Sequence, residues 1–427
     1  MKKLKLVMIG NGMAGVRTLE ELLKVSPELY DITVFGAEPH PNYNRILLSP
    51  VLAGEQGFED IVLNDLAWYR EHNIRLMLNR KVIQIDRTRR RVIAEDGSEA
   101  SYDRLLIATG SSPFVLPIPG NTLKGVIGYR DIADTQTMME TARTHKHAVV
   151  IGGGLLGLEA ANGLKARGMD VSVVHIADWL MERQLDRSAS QLLQQTLEKR
   201  GLKFLLSRQT AALLDNGEGR VAALRFKDGK TIPADLVVMA AGIRPNAELA
   251  ERAGLHCNRG ILVNDTLQTY DPRIYAVGEC ASHRGTAYGL VAPLFEQARV
   301  CANHLAMLGY SRYLGSVTST KLKVTGIELF SAGDFVGGEG TETITLCDPI
   351  GGIYKKLVIK DDVLVGACLY GDTRDGSWYF RQVRESRNVS AIRDQLMFGE
   401  EAIGLQTQPY RTTRAKQPNP SLAAAGR

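Results

Sequence analysis

The sequence predicts an α/β protein with two Rossmann-like units, one inserted into the other, and a smaller α+β domain at the C-terminal end. Three observations carry this prediction. The apolar run Leu6, Val7, Met8 and Ile9 leads into a turn with Gly10, Gly12 and Gly15 at G-x-G-x-x-G spacing. The same sequence of events returns far downstream, where residues 147–151 lead into Gly152, Gly154 and Gly157. From about Thr320 the strands become shorter and alternate, which is the pattern of antiparallel pairing.

An apolar run with no polar face reads as a strand buried on both sides, as in a parallel sheet. The glycines have separate physical tasks: a tight turn, close approach of backbone to a pyrophosphate, and close packing of helix on strand. A phosphate would then lie at a helix N-terminus, where free N–H groups and the helix dipole favour an anion. Downstream, residues 31–35 (DITVF) read as the second strand, with Glu38 placed either to bond a ribose or to stand as an exposed loop carboxylate. Residues 41–54 form a loop and a short apolar helix, and Trp68 and Tyr69 lie on another helix. Strands at 76–86 and 91–94 precede a strand that ends in Ala108, Thr109 and Gly110. The proline-rich stretch 111–120 (SSPFVLPIPG) marks a crossing between units. Residues 170–174 form the second strand of the inserted unit, followed by His175. Two more strands end in Gly242 and in Gly278-Glu279, and 293–308 is a long helix. The expected division is therefore 1–117 with 241–318, an inserted unit at 118–240, a third domain at 319–400, and a disordered polar tail at 401–427.

A chain of 427 residues exceeds one ordinary core. Its 44% hydrophobic and 23% charged residues are those of a soluble globular protein, and its longest apolar runs are strand-sized. Lys2 and Lys3 precede an apolar stretch, but that stretch runs straight into the glycine turn, so a cytoplasmic protein without a signal peptide is expected. Much of the net charge of +5 comes from Arg411, Arg414, Lys416 and Arg427, which leaves the rest close to neutral. Neither nucleic acid nor a membrane is an expected partner. Cys257, Cys280, Cys301, Cys347 and Cys368 include no closely spaced pair, which fits a reducing compartment. No metal site is expected, because zinc and iron–sulfur centres need ligands at close spacing.

The five motifs at Gly10, Thr109, Gly152, Gly242 and Gly278 occur in the order of the two-dinucleotide-binding flavoproteins, and the chain resembles that family over residues 4–400. The resemblance implies FAD on the first unit and NADH or NADPH on the inserted one. It places Gly10, Gly12 and Gly15 on the FAD pyrophosphate, Glu38 on the adenosine ribose, and Ala108, Thr109 and Gly110 in the same site. Gly278 would close on the flavin phosphates, and Glu279 would accept from the ribityl chain, where relatives more often carry Asp. Gly152, Gly154 and Gly157 fall to the nicotinamide dinucleotide, and Gly242 is a further cofactor-binding residue. Glu159 would lie beside nicotinamide and flavin, or else be a helix-terminal carboxylate bonded to backbone N–H groups.

Departures from the family narrow the chemistry. Disulfide reductases carry a cysteine pair, and related oxidases a single thiol, in the stretch that corresponds to residues 43–52. This chain has no cysteine there and Pro50 at the thiol position, so a thiol–disulfide mechanism lacks its nucleophile. Ferredoxin and rubredoxin reductases often place a lysine at that point; here Arg45 is the nearest cation, directed at flavin, at phosphate or at solvent. Cys280 and Cys301 read as packed thiols, and Trp378 and Tyr379 either line the flavin face or serve core or dimer packing. His175 stands where an acid would favour NADH and an arginine would favour NADPH, so the choice stays open, and a strand-end surface residue is the alternative.

MERQLD (181–186), YAVGECAS (275–282), STKLKVTGIELFSAGD (319–334) and YKKLVI (354–359) resemble the flavin-containing N-terminal part of large-subunit assimilatory nitrite reductases, and the reductase components of assimilatory nitrate reductases. Those nitrite reductases continue into iron–sulfur and sirohaem modules. The expected protein is thus an FAD-dependent NAD(P)H oxidoreductase that feeds an iron–sulfur or haem partner, with Glu159 and Arg45 as candidate catalytic residues and a homodimer as its expected assembly. A rubredoxin or ferredoxin reductase is the near alternative, and a flavin-binding redox sensor the distant one.

Overall fold

The computed structural model describes residues 3–316, 319–324 and 326–406. It separates into two compact units at Leu329/Phe330.

Within the first unit, strand Leu4–Ile9 is the centre of a five-stranded sheet. Tyr30–Phe35 and Arg75–Met77 lie on one side of it, and Arg104–Ile107 and Ile274–Ala276 on the other, all parallel. Leu6, Val7 and Met8 are at most 1% exposed, as a run without a polar face requires. Helix Met13–Val25 covers one face and packs against helix Val291–Leu305 through Leu19, Leu22, Val300 and Leu305. The buried Tyr30 hydroxyl donates to the Leu305 carbonyl at 2.7 Å, tying that late helix to the first sheet.

A second sheet repeats this order around His147–Ile151. Asp170–Val174 and Lys203–Leu205 stand on one side, Leu236–Met239 and Val126–Ile127 on the other, again parallel. The predicted insertion of one Rossmann-like unit into another is therefore present. The chain crosses between them twice, at Ser111–Pro113 and Ile243–Pro245, and the two crossings pair as an antiparallel ribbon. Each parallel sheet carries a three-stranded antiparallel companion, at 82–101 and 210–233. Three helices away from the glycine turns start at carboxylate caps, Asp65, Asp131 and Asp186, each accepting from a backbone N–H of the first turn.

In the second unit the antiparallel strands Glu342–Asp348, Ile353–Lys360 and Val363–Tyr370 stand beside helix Gly376–Glu385. Trp378 and Tyr379 belong to its core with Phe330, Leu357 and Leu369, and the Tyr379 hydroxyl donates to the Leu396 carbonyl at 2.8 Å. The expected disordered tail begins too early: Glu400–Gln406 is a helix, opened by Glu400 and Glu401 at its positive end. The rest of that tail, 407–427, lies outside the described residues. Among the described residues, no helix is long and apolar enough to cross a membrane.

Lys355 is buried in this unit and pairs with Asp372 at 2.9 Å and with Asp375 at 3.7 Å. Arg374 and Lys355 hold the Asp372 carboxyl well below the usual carboxylate range. Asp372→Asn should cost about 2 kcal/mol in denaturant unfolding at pH 7, because a buried ammonium loses its nearest counter-charge. A depressed carboxylate stabilises only above its unfolded pKa, so the difference from the native chain should shrink as pH falls below about 4.

Candidate functional site

The two glycine turns are built alike. The Gly10 N–H donates to the Phe35 carbonyl at 2.8 Å, and the Gly152 N–H to Val174 at 2.9 Å. Each turn residue has a left-handed φ, +104° at Gly10 and +129° at Gly152. A Cβ on Gly10 would stand 2.1 Å from the Ala108 carbonyl oxygen, and on Gly152 2.3 Å from that of Ala240. Gly15 and Gly157 lie in the first turns of their helices, where a Cβ would come within 2.9 Å of Ala108 and 2.0 Å of the Gly152 oxygen. Gly12 and Gly154 differ. They are the N-cap residues of helices Met13–Val25 and Leu155–Ala166, have extended backbones, offer no side-chain cap, and have nothing within 4 Å of a Cβ. Each helix thus leaves its first N–H groups uncapped over open space, which fits a phosphate.

Around the first turn the structure gathers charged groups from four segments. Glu38 accepts from the Tyr43 hydroxyl at 2.7 Å and pairs with Arg45. The guanidinium of Arg45 lies over the Tyr43 ring, 4.9 Å from its centroid, and donates to the Arg130 carbonyl at 3.0 Å. Arg130 in turn pairs with Glu279, which also accepts from Ser111 at 2.9 Å. The Ala108-Thr109-Gly110 corner is locked to the far crossing: Thr109 Oγ1 donates to the Asn246 carbonyl at 2.8 Å, and Asn246 Nδ2 to the Thr109 carbonyl at 2.9 Å. The Gly278 N–H donates to the buried Gln297 at 2.9 Å.

In the inserted unit a cavity of about 1010 Å³ opens over the second turn. Gly152 to Leu156, Tyr129, His175, Glu182 and Gly242 are among its lining. Glu159 is half-buried nearby, on the helix that starts at this turn. Helix Leu48–Ala53 lies across that helix, with Arg167 donating to the Leu52 carbonyl at 2.5 Å and to Val51 at 3.2 Å. This packing brings Ser49 Oγ within 2.7 Å of the Glu159 carboxylate, and the Tyr129 hydroxyl within 3.3 Å of Ser49. Among the described residues Ser49 is the only hydrogen-bond partner of Glu159 and no cation pairs with it. Burial therefore pushes its pKa up to about 7. The backbone-bonded alternative for Glu159 is not what the structure shows.

The two candidate catalytic residues are thus held by different groups, Arg45 by Glu38 and the Arg130 carbonyl, Glu159 by Ser49. Sequence reasoning missed Arg130, Ser49 and Ser111, each brought in from a segment distant in the chain. It also missed Glu182, which accepts from His175 Nε2 at 3.0 Å. Cys280 and Cys301 are wholly buried, and burial raises both thiols.

The residues of the two turns fit two dinucleotides, one over each uncapped helix. Residues 4–304 match the model of the pyridine nucleotide-disulphide oxidoreductases, and 319–387 that of the rubredoxin NAD+ reductase C-terminal domain. The chain is 55% identical to nitrite reductase [NAD(P)H] of Bacillus subtilis, over 91% of this chain and 48% of that one. It is 50% identical to the assimilatory nitrate reductase electron transfer subunit of the same organism, over 93% and 51%. It therefore spans about half the length of these relatives. Among solved structures, a ferredoxin reductase from Rhodopseudomonas palustris superposes with a TM-score of 0.82 at 25% identity, covering 90% of this chain and 96% of that one. The chain belongs to the pyridine nucleotide-disulphide oxidoreductase family.

Proposed function

We propose that this chain accepts a hydride from NADH or NADPH, holds FAD, and delivers electrons to an iron–sulfur or haem protein of nitrite or nitrate assimilation in the cytoplasm. One observation carries the reading. Where disulfide reductases present a thiol, this chain presents Ser49-Pro50, with Ser49 spent on Glu159, so its electrons have no disulfide to enter.

When bound, FAD supplies a ring system that accepts two electrons and releases them singly. The chain's own residues bind and orient. Residues 1–117 with 241–318 form the FAD unit in this reading, and 118–240 the nicotinamide dinucleotide unit. Gly10, Gly12 and Gly15 admit the FAD pyrophosphate to the helix N-terminus. Glu38, fixed by Tyr43 and Arg45, accepts from the adenosine ribose, which makes Arg45 a binding residue. Ala108 to Gly110, Gly278 and Glu279 line the path of the ribityl chain, with Arg130 supplying a cation for phosphate. Gly152, Gly154, Gly157 and Gly242 hold the nicotinamide dinucleotide, and Glu159 stands where the two rings meet. The chain's part in lowering the barrier would be to fix the orientation of the two bound groups in advance.

The isolated chain should oxidise a reduced nicotinamide dinucleotide with an artificial acceptor and leave nitrite untouched until a partner module is added. Nitrite consumption by the chain alone would sink the division of labour. The match of 319–387 to the rubredoxin reductase domain favours a small iron–sulfur carrier as the second candidate acceptor. Steady-state assays with nitrite reductase module and carrier side by side separate the two.

A further inference from the structure

We infer that Glu182, held in place by His175, selects a nicotinamide dinucleotide with a free ribose 2′-hydroxyl over its 2′-phosphorylated counterpart. The inference rests on the proposed use of the inserted unit. In Rossmann-like units such selection normally belongs to an acid that closes the second strand. Here strand Asp170–Val174 is followed by His175, and the carboxylate arrives instead from a turn seven residues on.

The geometry leaves that carboxylate little freedom. His175 is 7% exposed, and its ring lies so close over the glycine turn that a Cβ on Gly153 would stand 2.8 Å from it. The Gly153 N–H donates to His175 Nδ1 at 3.1 Å, which leaves the proton of a neutral ring on Nε2. Nε2 donates that proton to Glu182 Oε2 at 3.0 Å. The turn is locked separately: Met181, fully buried with φ +53°, donates from its N–H to the Gly153 carbonyl at 3.0 Å. Glu182 is therefore tied to the phosphate-binding turn by its own side chain and by the residue before it. Both His175 and Glu182 line the cavity over that turn.

A carboxylate accepts hydrogen bonds and cannot donate them. It suits a ribose hydroxyl, which donates, and opposes a 2′-phosphate, which is acceptor-only and of the same charge. Four cations on the same cavity pull the other way, one of them, Arg244, lying over the Phe114 ring at 4.3 Å from its centroid. Arg208 is already paired with Asp228, while Arg183 and Lys227 are exposed and would lose side-chain freedom on closing over a phosphate. A carboxylate already fixed by His175 outweighs cations that must be ordered on binding.

The test is calorimetric titration of the full chain with ADP-ribose and with 2′-phospho-ADP-ribose, which needs no turnover. ADP-ribose should bind about ten-fold more tightly or better, the worth of one charge-assisted hydrogen bond. In Glu182→Gln the ratio should fall to within about three-fold, mainly through a gain by the phosphorylated ligand, with the melting temperature unchanged. A native ratio near one, or a ratio that Glu182→Gln leaves intact, would overturn the assignment of Glu182 while the dinucleotide site stood. Failure of both ligands to bind the native chain would overturn the inference together with the reading beneath it.

Discussion

Gly12→Val should leave the chain folded and empty of flavin, whereas Gly10→Ala should unfold the unit that holds it. The two residues share a turn and differ in what surrounds them. At Gly10 an added methyl would meet the Ala108 carbonyl oxygen at 2.1 Å, from a backbone with φ +104°. Relief requires the two central strands to part, where Ala108 N–H donates to the Ile9 carbonyl at 2.8 Å. Strain at a left-handed backbone and a broken sheet contact together should cost about 3 kcal/mol or more. At Gly12 the backbone is ordinary, φ −89° and ψ 178°, and a side chain would enter open space at the helix N-terminus. On the proposed placement that space is the approach path of the FAD pyrophosphate, so valine blocks the ligand at little cost to the fold. Flavin absorbance after gel filtration, together with a melting curve, reads both effects. Stoichiometric flavin in Gly12→Val would remove the pyrophosphate from this turn.

The same contrast explains what could be read from the chain alone. The turns were legible because their requirements are local: a buried strand, a left-handed glycine and an open N-cap follow one another within ten residues or so. The inserted topology was legible because the whole arrangement occurs twice. The side-chain contacts were not, since Arg130 meets Glu279 across 149 residues and Ser49 meets Glu159 across 110. Nothing at those positions differs from a surface arginine or a helix serine until the helix at Leu48–Ala53 is laid on the helix at Leu155–Ala166. Glu182 was hidden in a subtler way, because its role depends on Met181 adopting a left-handed φ that a buried methionine seldom takes. The helix at Glu400–Gln406 was missed because the polar composition that follows it dominates the end of the sequence.

Glu159→Gln should remove a loss of stability that the native chain shows as pH rises from about 5 to about 8. Burial raises the carboxyl, with Ser49 as its one hydrogen-bond donor among the described residues, and its pKa is pushed up to about 7. The unfolded chain releases this proton near the ordinary glutamate value, the folded chain only near 7. Between those two points the native state binds more protons than the unfolded state, so rising pH favours unfolding. The group therefore destabilises above about 7 and is neutral below about 4, by an amount on the order of 3 kcal/mol. An amide keeps the acceptor for Ser49 and carries no charge, so Glu159→Gln should melt higher than the native chain at pH 8 and alike at pH 5. The kinetics should move oppositely. On the proposed placement, a nicotinamide ring would become cationic on giving up hydride, and an ionised Glu159 beside it would stabilise that charge. Turnover with an artificial acceptor should then rise through about pH 7 in the native enzyme, and should be about ten-fold lower and flat in Glu159→Gln. Such a trade of stability against rate at one carboxyl would be the behaviour of a group retained for chemistry. Parallel pH profiles in the two proteins, for melting and for turnover alike, would reduce Glu159 to packing.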